Sequence, residues 1–428
     1  MVLAALRDLL SDEEFSYPIE PSIIIFGTCD TKLLPLLELR SLLSPHHRVL
    51  LADVGRTPTL HTLIDIPQSS IIPSGVELSH LPRNELVTLI STHLTTRLSQ
   101  LYTAGTISAA ISLGGSSGTA LAATAMRAAL PIGFPKLIVT TMASGDVSPY
   151  VGDSDITLMP SIVDIAGENH ILSQILRNAA GCIGGMAAAA ISAANPNPNP
   201  RATKRVVAIS MFGITTPAVV AAQRALEENG FEVLVLHATG SGGRVLERLV
   251  REGRVDGVLD ITTTEIADLL CGGVLSAGPQ RLMAAATRGV PQIVSVGATD
   301  CVNFGPKQTL PEEWKGRTIL EHNPTVTLVR TSTDECRRIG RHIGETLRKA
   351  DAEKGRTEVW CPGRGVSTIS EEGGPFQDFE ADRALAEELQ KSLGDVAFRH
   401  FPEVALNDEK WGREMAVRLM EMMGAASI

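Results

Sequence analysis

The chain repeats one local pattern that constrains its fold more than anything else: an apolar strand, a polar turn rich in glycine and hydroxyls, then a helix. The clearest copy is Ile111-Ser112-Leu113-Gly114-Gly115-Ser116-Ser117-Gly118-Thr119, which runs directly into Ala120-Leu121-Ala122-Ala123-Thr124-Ala125-Met126. Ile23-Ile24-Ile25-Phe26 enters Gly27-Thr28-Cys29-Asp30-Thr31-Lys32, and Leu137-Ile138-Val139-Thr140-Thr141 enters Met142-Ala143-Ser144-Gly145-Asp146. Further copies run from Val233–Leu236 into the 237–244 turn and from Val258–Asp260 into the 261–265 turn. Strands alternating with helices imply parallel sheets with crossover helices. Such turns then gather at the carboxyl ends of the strands, where open α/β sheets bind ligands.

At 428 residues the chain is too long for one core, and two domains are expected. The repeated Asn-Pro run from Asn195 to Pro200 can be neither helix nor central strand, so it reads as a linker. It separates a first domain, 1–194, from a second, 205–428, with 195–204 between them. Strands are expected near 22–26, 48–53, 107–113, 136–141 and 155–159 in the first domain. In the second they are expected near 205–210, 232–236, 256–260, 291–296, 325–329 and 357–361, with late helices at 334–350, 378–393 and 408–424. The expected architecture is two α/β domains with mainly parallel sheets, facing one another across an interdomain cleft.

Hydrophobic residues make up 44% of the chain and aromatics only 4%, so the cores must be packed with Ala, Leu, Val and Ile, as in sheets covered on both faces. Acidic residues outnumber basic ones, 48 to 38, which argues against a general nucleic-acid footprint. The six cysteines are scattered without Cys-x-x-Cys spacing, the pattern of buried reduced thiols in a cytoplasmic protein. The N-terminus has no signal-peptide pattern, and the apolar run Ala179–Ala194 is short for a membrane span, so no membrane association is expected.

No P-loop motif is present, and the 114–118 turn lacks the spacing of the dinucleotide fingerprint. What remains is a physical argument. Glycine lets backbone approach a ligand, the first N–H groups of a helix lack intrahelical partners, and the helix end carries partial positive charge. A phosphate therefore has a seat at Gly114, Gly115, Ser116, Ser117, Gly118 and Thr119. Gly27, Thr28, Thr31 and Lys32 offer a second wall, with Asp30 near a metal or ribose, although Asp30 and Thr31 can equally well be helix caps. Ser144, Gly145 and Asp146, with Asp153 and Asp155 following, can add a Mg²⁺-supporting carboxylate. Metal candidates are Asp30 and Asp146. In the second half, Thr215, Thr216, His237, Thr239, Thr263, Glu265 and Arg364 form a candidate second ligand site. Arg364 is a clamp for an anion or carboxylate, and His237 or Glu265 a proton-transfer group. The competing reading has these hydroxyls capping helices at a domain interface; His170 has no sequence-level partner.

A longer set of blocks carries a resemblance. Gly27-Thr28-x-Asp30-Thr31-Lys32, Asp53-Val54-Gly55, Leu113–Thr119, Ala143–Val147 and Asp164-Ile165-Ala166-Gly167 occur in the first half. Met211–Pro217, His237-Ala238-Thr239-Gly240, Asp260–Glu265, Gly272–Gly278, His322-Asn323-Pro324 and Gly373-Gly374-Pro375-Phe376 follow. In this order they resemble the nucleotide-binding N-terminal region of the tomato mosaic virus resistance protein and its uncharacterised bacterial and fungal relatives. The resemblance implies two Rossmann-like subdomains, ATP with Mg²⁺ in the first, and a homodimer. Where relatives follow Asp-Thr-Lys with Gly-Glu-Glu, this chain has Leu33-Leu34-Pro35. The plant protein's further C-terminal region is not expected here, nor is its viral contact carried over. Two functions follow as expectations: an ATP-binding protein whose output is a protein interaction or conformational state, or an enzyme acting on a phosphorylated or nucleotide-linked small molecule in the cleft. A purely structural scaffold would leave the glycine loops unexplained.

Overall fold

The computed structural model describes residues 21–194, 204–351 and 355–424. Contacts within the chain divide it into two compact units, Met1–Pro196 and Asn197–Ile428. Most of the Asn-Pro linker lies outside the described residues.

In the first unit, five parallel strands, β1 (Ser22–Gly27), β2 (Val49–Asp53), β3 (Ile107–Gly114), β4 (Lys136–Thr140) and β5 (Thr157–Pro160), lie in the order β2-β1-β3-β4-β5. The longer helices are α1 (Cys29–Leu43), α2 (Arg83–Thr103), α3 (Ser116–Ala129) and α4 (His170–Ala194). Successive strand residues point to opposite faces, so β1 feeds two cores at once. Ile24 and Phe26 pack with Leu94 and Leu98 of α2 and Leu121 and Met126 of α3. Ile23 and Ile25 pack with Leu36 and Leu39 of α1 and Leu172, Leu176 and Ile183 of α4. Both sheet faces are thus covered, which is why the strands read as unbroken apolar runs. Among the described residues, His170–Ser192 is long and apolar enough to cross a membrane, yet its Leu172, Leu176, Ala179 and Ile183 are buried against the sheet.

The second unit contains β6 (Val206–Met211), β7 (Glu232–His237), β8 (Gly257–Thr262), β9 (Gln292–Gly297), β10 (Cys301–Phe304), β11 (Ile319–Asn323), β12 (Val326–Arg330), β13 (Thr357–Pro362) and β14 (Ala397–Phe401). Its longer helices are α5 (Thr216–Glu228), α6 (Ser241–Arg251), α7 (Thr264–Cys271), α8 (Thr333–Ala350), α9 (Phe379–Ser392) and α10 (Glu409–Met422). Six strands form a parallel sheet in the order β14-β13-β9-β8-β6-β7. Read from the other edge, this is the winding of the first unit with one strand added.

The expected strand near 325–329 exists but leaves the parallel sheet: β12 pairs antiparallel with β10 and β11. Two of that sheet's strands, β10 and β11, and the edge strand β14 were not anticipated. In both units the chain turns from the first strand to one side and returns to the other side, between β1 and β3 and between β6 and β8. This reversal is the topological switch point, where doubly wound sheets leave a crevice outside the carboxyl ends of their strands.

Candidate functional site

At the first unit's switch point the turn after β1 faces the turn after β3. A cavity of about 420 Å³ lies there, lined by Thr28, Asp30, Thr31 and Lys32 on one side and Gly115, Ser116, Ser117 and Gly118 on the other. Val54, Arg56 and Arg83 line it as well, with an apolar wall of Leu86, Val87, Ile90 and Leu121.

The local sequence explains each wall. Gly115 caps α3 in extended backbone (φ −79°, ψ −162°) without a side-chain cap, so Ser116, Ser117 and Gly118 carry the first helical N–H groups. The Gly118–Thr119 backbone packs so tightly on Gly114 that a Cβ there would lie 2.6 Å from the Thr119 nitrogen. Gly115 is different: a Cβ there would meet only Thr141 Oγ1, at 3.8 Å. Folding therefore requires glycine at 114, whereas at 115 the absent side chain leaves the cavity wall as bare backbone. Opposite, Pro35 cannot donate to a carbonyl one turn back, and α1 kinks at Lys32 (φ −133°, ψ 24°). The kink lets Lys32 Nζ donate to the Ile165 carbonyl at 2.9 Å.

Two aspartates hold these loops together. Buried Asp53, at the end of β2, accepts backbone N–H bonds from Cys29 (3.2 Å), Gly55 (2.9 Å) and Thr59 (2.9 Å). In dinucleotide-binding folds an acid downstream of the glycine turn reads a ribose; here both oxygens of Asp53 are turned to the backbone. Asp30 Oδ2 accepts the N–H groups of Arg56 (2.9 Å) and Thr57 (3.1 Å), so it ties the start of α1 to the neighbouring loop instead of capping the helix, whose N-cap, Thr28, makes no side-chain capping bond. The Arg56 guanidinium in turn donates to the carbonyls of Ser79 (2.8 Å) and Leu81 (3.0 Å).

Several expected residues lie elsewhere. Gly27 is pressed against Leu36, whose Cδ2 would sit 2.9 Å from an added Cβ. Thr119 is buried and shares a 2.6 Å hydrogen bond with Thr140, tying the turn to β4. Ser144, Gly145 and Asp146 do not line the cavity; Asp146 accepts the Ser148 N–H at 2.9 Å, and hydrogen bonds from the Ser148 hydroxyl first and its N–H second lower its carboxyl below the ordinary range. Among the described residues, no group of three or more His, Cys, Asp or Glu could hold a metal ion. Asp30 is the one carboxylate in the cavity wall. Arg56, Arg83, Leu86, Val87 and Ile90 went unrecognised because they belong to no motif and are brought in by the end of β2 and the start of α2.

The second unit fills the corresponding place. Arg281, fully buried, pairs with Asp260 of β8 through both Nη atoms and donates from Nε to Glu265 Oε2 at 2.7 Å. Glu265 Oε1 accepts the N–H groups of Gly240 (2.7 Å) and Gly243 (3.0 Å). Glu247 accepts from Leu282 (2.6 Å) and Ala284 (2.7 Å), and burial raises its carboxyl against the pull of Arg281. Ser210 Oγ of β6 donates to Asp260 at 2.6 Å, and Thr215 and Thr262 share a 2.8 Å bond across the strand ends. Thr263 donates to the Ser295 carbonyl at 2.9 Å and Thr216 to Gly213 at 2.9 Å. Of the candidate second-site residues, Thr215, Thr263 and Glu265 are thus buried ties within the unit. Thr239 donates to the His237 carbonyl at 3.4 Å, and the His237 side chain is exposed at the end of β7. Arg364 pairs with Glu403 at 2.7 Å beside a separate cavity at the ends of β13 and β14.

Fold and site together define a two-unit doubly wound α/β protein with an open backbone cradle in its first unit. The chain belongs to the uncharacterised protein family UPF0261: the family's N-terminal domain matches residues 21–192 and its C-terminal domain residues 204–423. It is 47% identical to a UPF0261 protein of Clostridium tetani over 318 residues, 74% of this chain and 76% of that protein. It is 39% identical to the ToMV resistance protein Tm-1(GCR237) of Solanum lycopersicum over 398 residues, 87% of this chain but 52% of the tomato protein. Among solved structures, UDP-GlcNAc 2-epimerase from Neisseria meningitidis overlaps 64% of this chain and 81% of its own, at 10% identity and a TM-score of 0.18. That overlap is too loose for any functional likeness to follow.

Proposed function

We propose that the first unit binds ATP with Mg²⁺ and that the bound state governs an interaction or conformation of the chain. The observation that carries this reading is the backbone wall at Gly115–Gly118, at a switch point, where packing gives no reason for glycine at 115. The phosphates rest on the N–H groups of Ser116, Ser117 and Gly118, with hydroxyls of Thr28 and Thr31 opposite and Arg83 at the cavity edge. A phosphate at a helix N-terminus gains roughly 0.3–1 kcal/mol from the helix dipole, up to about 2 where partly buried. Val54, Leu86, Val87, Ile90 and Leu121 offer the apolar surface a base needs. Asp30, the one carboxylate in the cavity wall, would support the metal from Oδ1, since Mg²⁺ bound to a nucleotide takes one or two carboxylates and keeps its waters.

Binding is favoured over catalysis because Thr215, Thr263 and Glu265, three of the groups offered for a reaction in the second unit, are spent on internal hydrogen bonds, which leaves His237 without Glu265 as an acid–base partner. The account extends to a homodimer as the interacting state. Hydrogen exchange tests the placement: ATP with Mg²⁺ should protect amides 28–32 and 115–119. Protection confined to other segments, or none at saturating nucleotide, refutes it. Light scattering at micromolar concentration should give twice the monomer mass.

A further inference from the structure

The turns after β13 and β14 are bolted to each other through their backbones. The Gly363 N–H donates to the carbonyls of Phe401 (2.9 Å) and Val404 (3.1 Å), and the Arg364 N–H donates to Val404 at 3.0 Å. The packing is so close that a Cβ on Gly363 would lie 2.6 Å from the Pro402 carbonyl oxygen. Between these turns and the start of α9 lies a cavity of about 260 Å³. It sits at the carboxyl ends of the strands, the side of a doubly wound sheet on which ligands bind. Its rim residues Arg364, Arg383, His400 and Glu403 are exposed, so a ligand reaches them without any movement of the chain.

The polar groups of the wall are not equally free. Glu403 is held by Arg364, through Nη2 at 2.7 Å and Nε at 3.2 Å. Asp382 is turned inward: its Oδ1 accepts from Arg330 Nη2 at 2.6 Å, and its Oδ2 is sealed in protein. Burial raises Asp382 to about 7, so near neutral pH it holds a proton much of the time and repels an anion little. Arg383 of α9 and His400 of β14 are different, since among the described residues neither makes a hydrogen bond or an ion pair. The unspent side chains are thus a guanidinium and an imidazole, beside an apolar wall that includes Phe379 and Pro402. We propose that this cavity binds a small organic carboxylate, its oxygens on Arg383 and His400 and its hydrocarbon body against Phe379 and Pro402. The planar guanidinium fork matches a carboxylate in two parallel bonds, and an imidazole N–H adds a third. A volume below the roughly 300–1,000 Å³ of pockets for drug-sized ligands limits the body to about one ring. The anion clamp expected at Arg364 therefore falls to Arg383, because Glu403 already occupies Arg364.

Ligand-observed NMR titration of the full chain with benzoate tests the proposal, with acetate, benzylamine and inorganic phosphate as comparison probes. Benzoate should bind saturably and more tightly than acetate, which lacks the apolar body, or benzylamine, which lacks the anion. It should also bind more tightly than phosphate, which lacks both the plane and the body. Arg383→Ala should weaken benzoate binding by about tenfold or more and His400→Ala by about threefold, as the loss of charged and single hydrogen bonds implies. Both replaced side chains are exposed, so the variants should keep the parent's melting temperature. Glu403→Gln, which frees the Arg364 guanidinium, should tighten binding, and Gly115→Val in the first unit should leave it unchanged. No saturable benzoate binding overturns the proposal. So does benzoate binding undiminished in Arg383→Ala, or phosphate binding as tightly as benzoate.

Discussion

The two units wind their sheets alike and treat their switch points in opposite ways. Between β1 and β3 the crevice is open, walled by the backbone of Gly115–Gly118. Between β6 and β8 the strand ends are filled by Arg281 with Asp260, Glu247 and Glu265. The same topology thus leaves an open cavity where the turn after β3 is small and uncharged, and an internal strut where the turn after β8 carries a carboxylate and a distant arginine reaches it. Topology offers the crevice; the side chains decide whether it remains one.

The strut should show the largest effect. Arg281→Ala leaves three carboxylates desolvated without their cation, a loss of roughly 3–5 kcal/mol. Denaturation followed separately in the two units should show the second unit collapsing early while the first keeps its midpoint. Equal loss in both would break the comparison.

That asymmetry was only half legible in the sequence. The open crevice could be read because its parts are local: a strand, a glycine turn and a helix start lie within nine residues, Ile111–Thr119. The strut could not, because Arg281 sits in no motif and its role arises from contacts with residues 16 to 34 positions away. Thr263 and Glu265 read as second-site residues, but Thr263 is spent on the Ser295 carbonyl and Glu265 on that arginine. The strand at Val326–Arg330 was readable as a strand while its sheet was not, since pairing with β10 and β11 is a non-local choice. Ala397–Phe401 escaped notice because Arg399 and His400 break its apolar pattern on the exposed sheet edge.

Glycine sharpens the contrast within the cradle. Gly114→Ala drives a methyl into the Thr119 nitrogen and the Gly118 carbonyl carbon, at 2.6 and 2.7 Å, and should destabilise the first unit by about 1–3 kcal/mol. Gly115→Ala meets open space and should change stability by less than about 1 kcal/mol. Equal costs at 114 and 115 would mean that the wall at 115 serves packing after all.

Titration separates the units as well. Burial raises Asp268 of α7 from its ordinary 3.8 to about 7, opposed by the bonds it accepts from Asn303 and Leu275. A group raised on folding contributes stability below its unfolded value and loses that contribution as pH climbs through its folded value. The second unit should therefore weaken between about pH 4 and 7, and Asp268→Asn should flatten the slope. Identical slopes for variant and parent would remove Asp268 from the account.

The central claim is that the open switch point is a phosphate cradle. Calorimetric titration of ATP with Mg²⁺ into the parent chain and into Gly115→Val tests it most directly, with the variant's unfolding midpoint as a control. The account predicts saturable binding to the parent and at least about tenfold weaker binding, roughly 1.4 kcal/mol, to a variant that remains folded. Equal affinity for the two proteins, or no binding to the parent, would contradict it.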